Sequence, residues 1–109
     1  MYIFNETINI DDAAHSEWIA WIELHITAVL NTGRFTSAKF SEVLVEEEMG
    51  GKTYSIQYAA KTRADLDTYY KSDAPNLQAE SLKKFADKML TFRTELKIIK
   101  EFYPTTLNN

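Results

Sequence analysis

The chain has 109 residues, 45% hydrophobic and 26% charged, and a net charge of −4; that length suits one domain with a real core, and three glycines and two prolines are too few for a disordered or loop-rich chain. Lysine and arginine are scattered without a basic stripe, which argues against nucleic-acid binding, and the lack of cysteine removes disulfides, thiolate metal sites and a cysteine nucleophile. No basic start precedes an apolar run and no window nears ~18 apolar residues, so neither a signal peptide nor a membrane span is expected and the cytoplasm is the simplest location.

Tyr2–Ile10 alternates. Tyr2, Phe4, Ile8 and Ile10 share one parity, broken by Glu6, and Ile3, Asn5, Thr7 and Asn9 share the other, the pattern of a strand. Asp11 and Asp12 offer side-chain oxygens to the first amides of a helix over residues 13–30. Gly33 follows as its left-handed stop. Residues 34–47 are extended with muddled parity, which a bulge near Glu42 and Val43 explains. Glu46, Glu47 and Glu48 form a solvated strand end. Gly50 and Gly51 supply the positive φ of a tight hairpin, and residues 52–61 return as a strand. Thr62 with Asp65 resembles a capping box ahead of a short helix over 63–72. Asp73-Ala74-Pro75 predicts a break, then a helix from 75 to about 87. The last strand is expected over 90–102, with Leu90, Phe92, Leu96 and Ile98 on one side and Arg93, Glu95 and Lys97 on the other. The tail, 104–109, is polar and expected to fray.

This β-α-β-β-α-α-β order is the ferredoxin-like plan: an α+β domain over residues 1–103 with a four-stranded antiparallel sheet and helices on one face. Tyr54, Ile56, Tyr58, Phe92, Leu96 and Ile98 are expected beneath the helices. Asn5, Thr7, Ser37, Ser55, Gln57, Arg93 and Glu95 then form a polar opposite face. That face is either plain exposed sheet or the contact of two copies stacked into a barrel, and composition does not choose.

The densest chemistry lies in residues 17–27, which carry both tryptophans and one of two histidines. Trp18, Trp21 and His25 run down one helical stripe beside an aliphatic one of Ile19, Ile22, Ile26, Val29 and Leu30. The aliphatic stripe is expected to cover the sheet and the tryptophans to flank it. His25 titrates near neutral pH and is the candidate general base; its alternative is an interface or helix-surface histidine bonded to a carbonyl or tyrosine. Trp18 and Trp21 suit the floor of an apolar ligand pocket, or core and dimer contact. Tyr54, Tyr58, Tyr69 and Tyr70 add hydroxyls, or pack with their phenol tips at the surface. On the polar face, Arg93 would grip an anionic ligand or pair across a dimer axis, with Asn5 and Gln57 in the same layer. His15 reads as an exposed residue or a partner of Asp11. No metal set is expected, because His15 and His25 lie about 15 Å apart on one helix, and no cofactor fingerprint is present.

Five ordered motifs carry a family resemblance: W-I-A-W-I-E-L-H-I at 18–26, T-G-R-F-T-S-A at 32–38, G-G-K-T-Y-S-I-Q-Y at 50–58, A-P at 74–75 and F-R-T-E-L at 92–96. Together they resemble a bacterial family of short single-domain proteins of unknown function, from about Tyr2 to Ile98. That family resembles the wider superfamily of dimeric α+β barrels, which pair through their sheets. The resemblance implies a homodimer and carries over no catalytic residue. The superfamily includes cofactor-free monooxygenases, haem-degrading enzymes, isomerases and stress proteins. The haem-degrading branch uses an Asn on its first strand with a Trp and a His. Here Asn5 fits, but the His and Trp residues lie on the first helix, whereas that branch places its His on the helical segment after the third strand, which argues against haem. Two functions remain: a small-ligand-binding or structural module without catalysis, or a cofactor-independent monooxygenase- or isomerase-like enzyme on a small aromatic substrate with His25 as base.

Overall fold

A computed structural model describes residues 1–48 and 50–105. Its elements are β1 (Tyr2–Ile10), α1 (His15–Leu30), β2 (Ser37–Glu42), β3 (Lys52–Ala60), α2 (Arg63–Thr68), α3 (Ala74–Phe85) and β4 (Met89–Lys97). The local signals act as their chemistry dictates. The Asp11 carboxylate accepts the Ala13 N–H at 2.8 Å. The Thr62 hydroxyl accepts the Asp65 N–H at 3.1 Å and donates to the Asp65 carboxylate at 3.0 Å. Gly51 has φ +77°, and a Cβ there would stand 2.5 Å from the Ile10 carbonyl oxygen, so only glycine fits the turn into β3.

Three boundaries differ from the sequence reading. The extended stretch leaves the sheet at Glu42, after which Val43 donates one last bond to the Thr53 carbonyl at 2.8 Å. Asp73-Ala74-Pro75 does not break the helix. Residues Tyr69–Asp73 widen into a π turn, in which the Ala74 N–H bonds to the Tyr69 carbonyl five residues back, and α3 continues from it. The wider turn makes room for a proline ring that has no N–H to give. Finally, β4 stops at Lys97. The Ile98 N–H still reaches the Met1 carbonyl at 3.0 Å, and the chain then runs on as an exposed arm. Within the tail read as frayed, Pro104 and Thr105 are exposed, and residues 106–109 lie outside the described residues.

The sheet is antiparallel throughout, in the order β2-β3-β1-β4, with the helices on one face. Phe4, Ile8 and Ile10 of β1 and Tyr54, Ile56, Tyr58 and Ala60 of β3 meet Trp18, Ile22, Val29, Leu66, Tyr69 and Phe85 in one core. Register corrects the expected facing of β4. Glu6 stands opposite Arg93, and Thr7 opposite Phe92. Arg93 and Glu95 therefore lie on the helix side, whereas Leu90, Phe92 and Leu96 lie on the open face with Asn5, Thr7, Ser55 and Gln57. The sequence reading assumed that the apolar parity of a strand faces the core. Here β4 is an edge strand lying where the helix layer thins, so charged side chains reach water from beneath it while the apolar parity stands on the far side. Phe92 is 66% exposed.

Candidate functional site

On α1 the inward stripe is Trp18, Ile22, His25 and Val29, spaced four, three and four. The stripe predicted as purely aliphatic is thus replaced by one that includes an indole and an imidazole. Ile19, Ile26 and Trp21 are the partly buried flank. Trp18 is fully buried and tilts against Tyr54 with ring centroids 5.1 Å apart. Trp21 stacks on His25 at 4.6 Å and leans on Phe85 at 5.3 Å. His25 is 8% exposed, and its Nδ1 has no protein partner among the described residues. Burial pushes the His25 imidazole below its ordinary value; Glu80 opposes the shift and Arg93 adds to it. His25 is therefore neutral at neutral pH, and it senses charges on both α3 and β4.

The structure adds a residue that was read only as an interruption. Glu6 breaks the apolar parity of β1 and so points into the core, where it is 6% exposed. Arg93 answers it, its Nε donating to Glu6 Oε2 at 2.9 Å. Burial raises the Glu6 carboxyl above the ordinary carboxylate range, and Arg93 offsets only part of that rise. The Tyr58 hydroxyl is buried without a protein partner among the described residues, and burial, with the Glu6 charge nearby, pushes that phenol up. Tyr69 is held up in the same way, by burial first and Glu6 second. Glu6, Arg93, His25, Tyr58 and Tyr69 thus form one electrostatically coupled cluster beneath α1 and the π turn.

Arg93 opens into a groove of about 550 Å³ lined by Phe4, Tyr70, Gln78, Arg93, Thr94 and Glu95. The π turn sets Tyr70 on its rim. The Tyr70 hydroxyl donates to Glu95 Oε2 at 2.5 Å, and Arg63 holds the other Glu95 oxygen at 2.7 Å. Arg63 and Tyr70 together keep the Glu95 carboxyl below its usual range. Glu95 is thereby occupied, whereas Arg93 is bonded through Nε alone among the described residues.

The residues singled out from sequence fall in three places. His25, Tyr58 and Arg93 share the cluster. Trp18 and Tyr54 lie toward β2, where the Tyr54 hydroxyl meets His15 Nε2 at 2.6 Å; His15 thus partners Tyr54 and not Asp11. Asn5 and Gln57 lie on the open face. There the Asn5 side chain accepts from the Ser55 hydroxyl at 2.7 Å and donates to Thr7 at 3.2 Å and Thr94 at 3.3 Å. Arg93 does not join that layer, contrary to expectation. Among the described residues, no helix is long and apolar enough to cross a membrane.

Solved structures share this fold. SnoaB from Streptomyces nogalater, a cofactor-independent oxygenase, superposes with TM-score 0.66 at 8% identity, over 92% of this chain and 94% of its own. MhuD, with two manganese protoporphyrin IX bound per active site, does so with TM-score 0.65 at 10% identity, over 95% and 100%. A dimeric ferredoxin-like protein from an uncultured marine organism gives TM-score 0.57 at 10% identity, over 93% and 97%. At these identities the likeness is one of fold. No functionally curated protein sequence matches the chain. Residues 1–99 match the model of the domain of unknown function DUF4286, and the chain belongs to that family, on a ferredoxin-like α+β fold.

Proposed function

We propose that this protein is a small-ligand-binding module of the bacterial cytoplasm that works as a homodimer joined through its open sheet faces. The ligand is a small, flat, partly aromatic molecule with an anionic or strongly polar end. The groove beside Arg93 carries the reading. Tyr70 offers ring surface, Gln78 offers hydrogen bonds, and the guanidinium is aimed by Glu6 with its Nη groups unspent on the described residues. The apolar strip of Leu90, Phe92 and Leu96 supports the dimer, since a strand face of that kind gains by being covered. The dimeric neighbour of the same fold supports it too.

Titration with 2-naphthoate and with 2-naphthol, followed by amide NMR, tests the site. Naphthoate is expected to shift Gln78, Arg93, Thr94 and Glu95, and Arg93→Gln to weaken it about tenfold while changing naphthol binding little. Millimolar naphthoate that leaves those amides unmoved sinks the reading.

A second reading, a cofactor-independent enzyme, is favoured by one observation: a buried, neutral His25 with an unpartnered Nδ1 beside the same cluster. As base, its imidazole takes a proton from an acidic C–H and returns it at the same or another carbon. Deuterium exchange into 2-tetralone in D2O measures that step without any oxidant. Exchange no faster than in buffer, or unchanged in His25→Ala, removes this reading and leaves the binding module standing.

A further inference from the structure

We infer that the C-terminal arm of each copy docks in a groove on the open face of the other copy, so that the two chains exchange arms. This rests on the sheet-to-sheet dimer proposed above and specifies its geometry. After Ile98 the arm has left the sheet, yet it is rich in large apolar groups: Ile99 is 85% exposed, Phe102 81%, and Tyr103 is nearly as bare. Lys100 and Glu101 balance within it, so the arm carries no net charge, and Lys100 lies over the Phe102 ring at 5.3 Å. Seven residues, 99–105, extend to about 23 Å. The fold is correspondingly drawn out, with a Cα radius of gyration of 16.0 Å and a long axis of 55 Å, where a compact chain of this length has a radius near ~13 Å.

The matching surface lies on the open face at the other end of β4. A groove of about 560 Å³ has Leu90 and Phe92 as its apolar floor and Glu46, Glu47 and Glu48 as an acidic wall. Thr53 donates to Glu47 at 2.6 Å, which pins that wall to the sheet. The apolar floor fits the arm's aromatic side chains and the acidic wall fits Lys100, while the adjoining Glu101 is taken up by the Tyr103 hydroxyl. The arm's own groove is out of easy reach. Leu90 and Phe92 sit near the start of β4 and the arm leaves its end, roughly 20 Å away and heading outward. A two-fold axis between the open faces and perpendicular to β4 runs the two β4 strands antiparallel. The end of each strand, with its arm, then comes over the start of the other. Phe102 or Tyr103 reaches the Leu90–Phe92 floor, and Lys100 faces the glutamates.

The absence of cysteine makes the test clean, because single introduced thiols have no competitors. Chains carrying Phe102→Cys are mixed with differently tagged chains carrying Leu90→Cys under oxidising conditions, and sedimentation of the unmodified full chain is measured in parallel. The expected result is a mixed disulfide between the two chains in a sedimenting dimer. In addition, Lys100→Glu should weaken the dimer several-fold, with affinity restored in Lys100→Glu combined with Glu47→Lys. A third chain carries both Phe102→Cys and Leu90→Cys; if it closes its disulfide only within itself while the mixed chains form none, the arm folds back and the exchange is overturned. A dimer that forms no such disulfide in either arrangement overturns the exchange while leaving the sheet contact intact. A chain that sediments at 12.6 kDa overturns both.

Discussion

Glu6 sets the terms at the scale of single residues. It is a carboxylate in the apolar row of β1, tolerable because Arg93 reaches it from the neighbouring strand. Removing the arginine strands a buried charge, so Arg93→Ala should cost about 3 kcal/mol in urea unfolding. Glu6→Gln keeps a hydrogen-bonding group and removes the buried charge, and should cost less than about 1 kcal/mol. The pH dependence of stability follows from opposite shifts in one cluster. The folded pKa of His25 lies below its unfolded value of 6.5, so its contribution is full above that value and is lost as pH falls through the folded value. The folded pKa of Glu6 lies above 4.5, so its contribution is full below that value and is lost as pH rises through the folded value. Thermal melts between pH 7.5 and 5 should show that, relative to the wild type, His25→Phe loses less stability on acidification and Glu6→Gln loses more. Identical slopes in all three would contradict both assignments.

The turns and caps decide which elements form and where they stop. Gly33 and Gly51 both have positive φ, but only Gly51 faces a backbone atom at the place a Cβ would occupy. Gly33→Ala should therefore cost about 1 kcal/mol of backbone strain. Gly51→Ala should cost distinctly more, because the turn must move away from the Ile10 carbonyl; equal losses in the two variants would mean that contact is relieved for nothing. Thr62→Ala removes a side-chain cap and should cost about 1 kcal/mol, read in the same denaturant series. The π turn belongs to this scale as well. It turns a proline that ought to end a helix into a widened turn that sets Tyr70 over the groove.

Across the whole molecule, the open sheet face is the surface of the proposed dimer. Its β2 and β3 portion is polar, and its β4 portion is apolar. Phe92→Lys should therefore dissociate the proposed dimer by sedimentation while leaving the far-UV CD spectrum of the folded chain unchanged, since the Phe92 side chain contributes little to the core on the helix side. A variant that stays dimeric would place the contact elsewhere. Arg93 and the dimer face lie on opposite sides of β4, so Arg93→Gln should change ligand binding without changing sedimentation.

The order of elements, both caps, the left-handed glycines and the inward parity of β1 and β3 were legible in the chain, because each depends on residues close in sequence or on a period that a strand or helix imposes by itself. Even the buried carboxylate left a trace, as the one residue out of place in the alternation of β1. The facing of β4 was not legible. An alternating strand shows that its two sides differ, but only its pairing to β1 determines which side meets the helices, and at a sheet edge the apolar side need not be the inward one. For the same reason, Arg93 looked like part of the open polar layer until register set it against Glu6. His25 was conspicuous from sequence as one of the chain's two histidines, on the stripe of the tryptophans. Its burial, its neutral state and its contact with Trp21 came only from packing, because desolvation is a property of everything around a group and not of the group's neighbours in the chain.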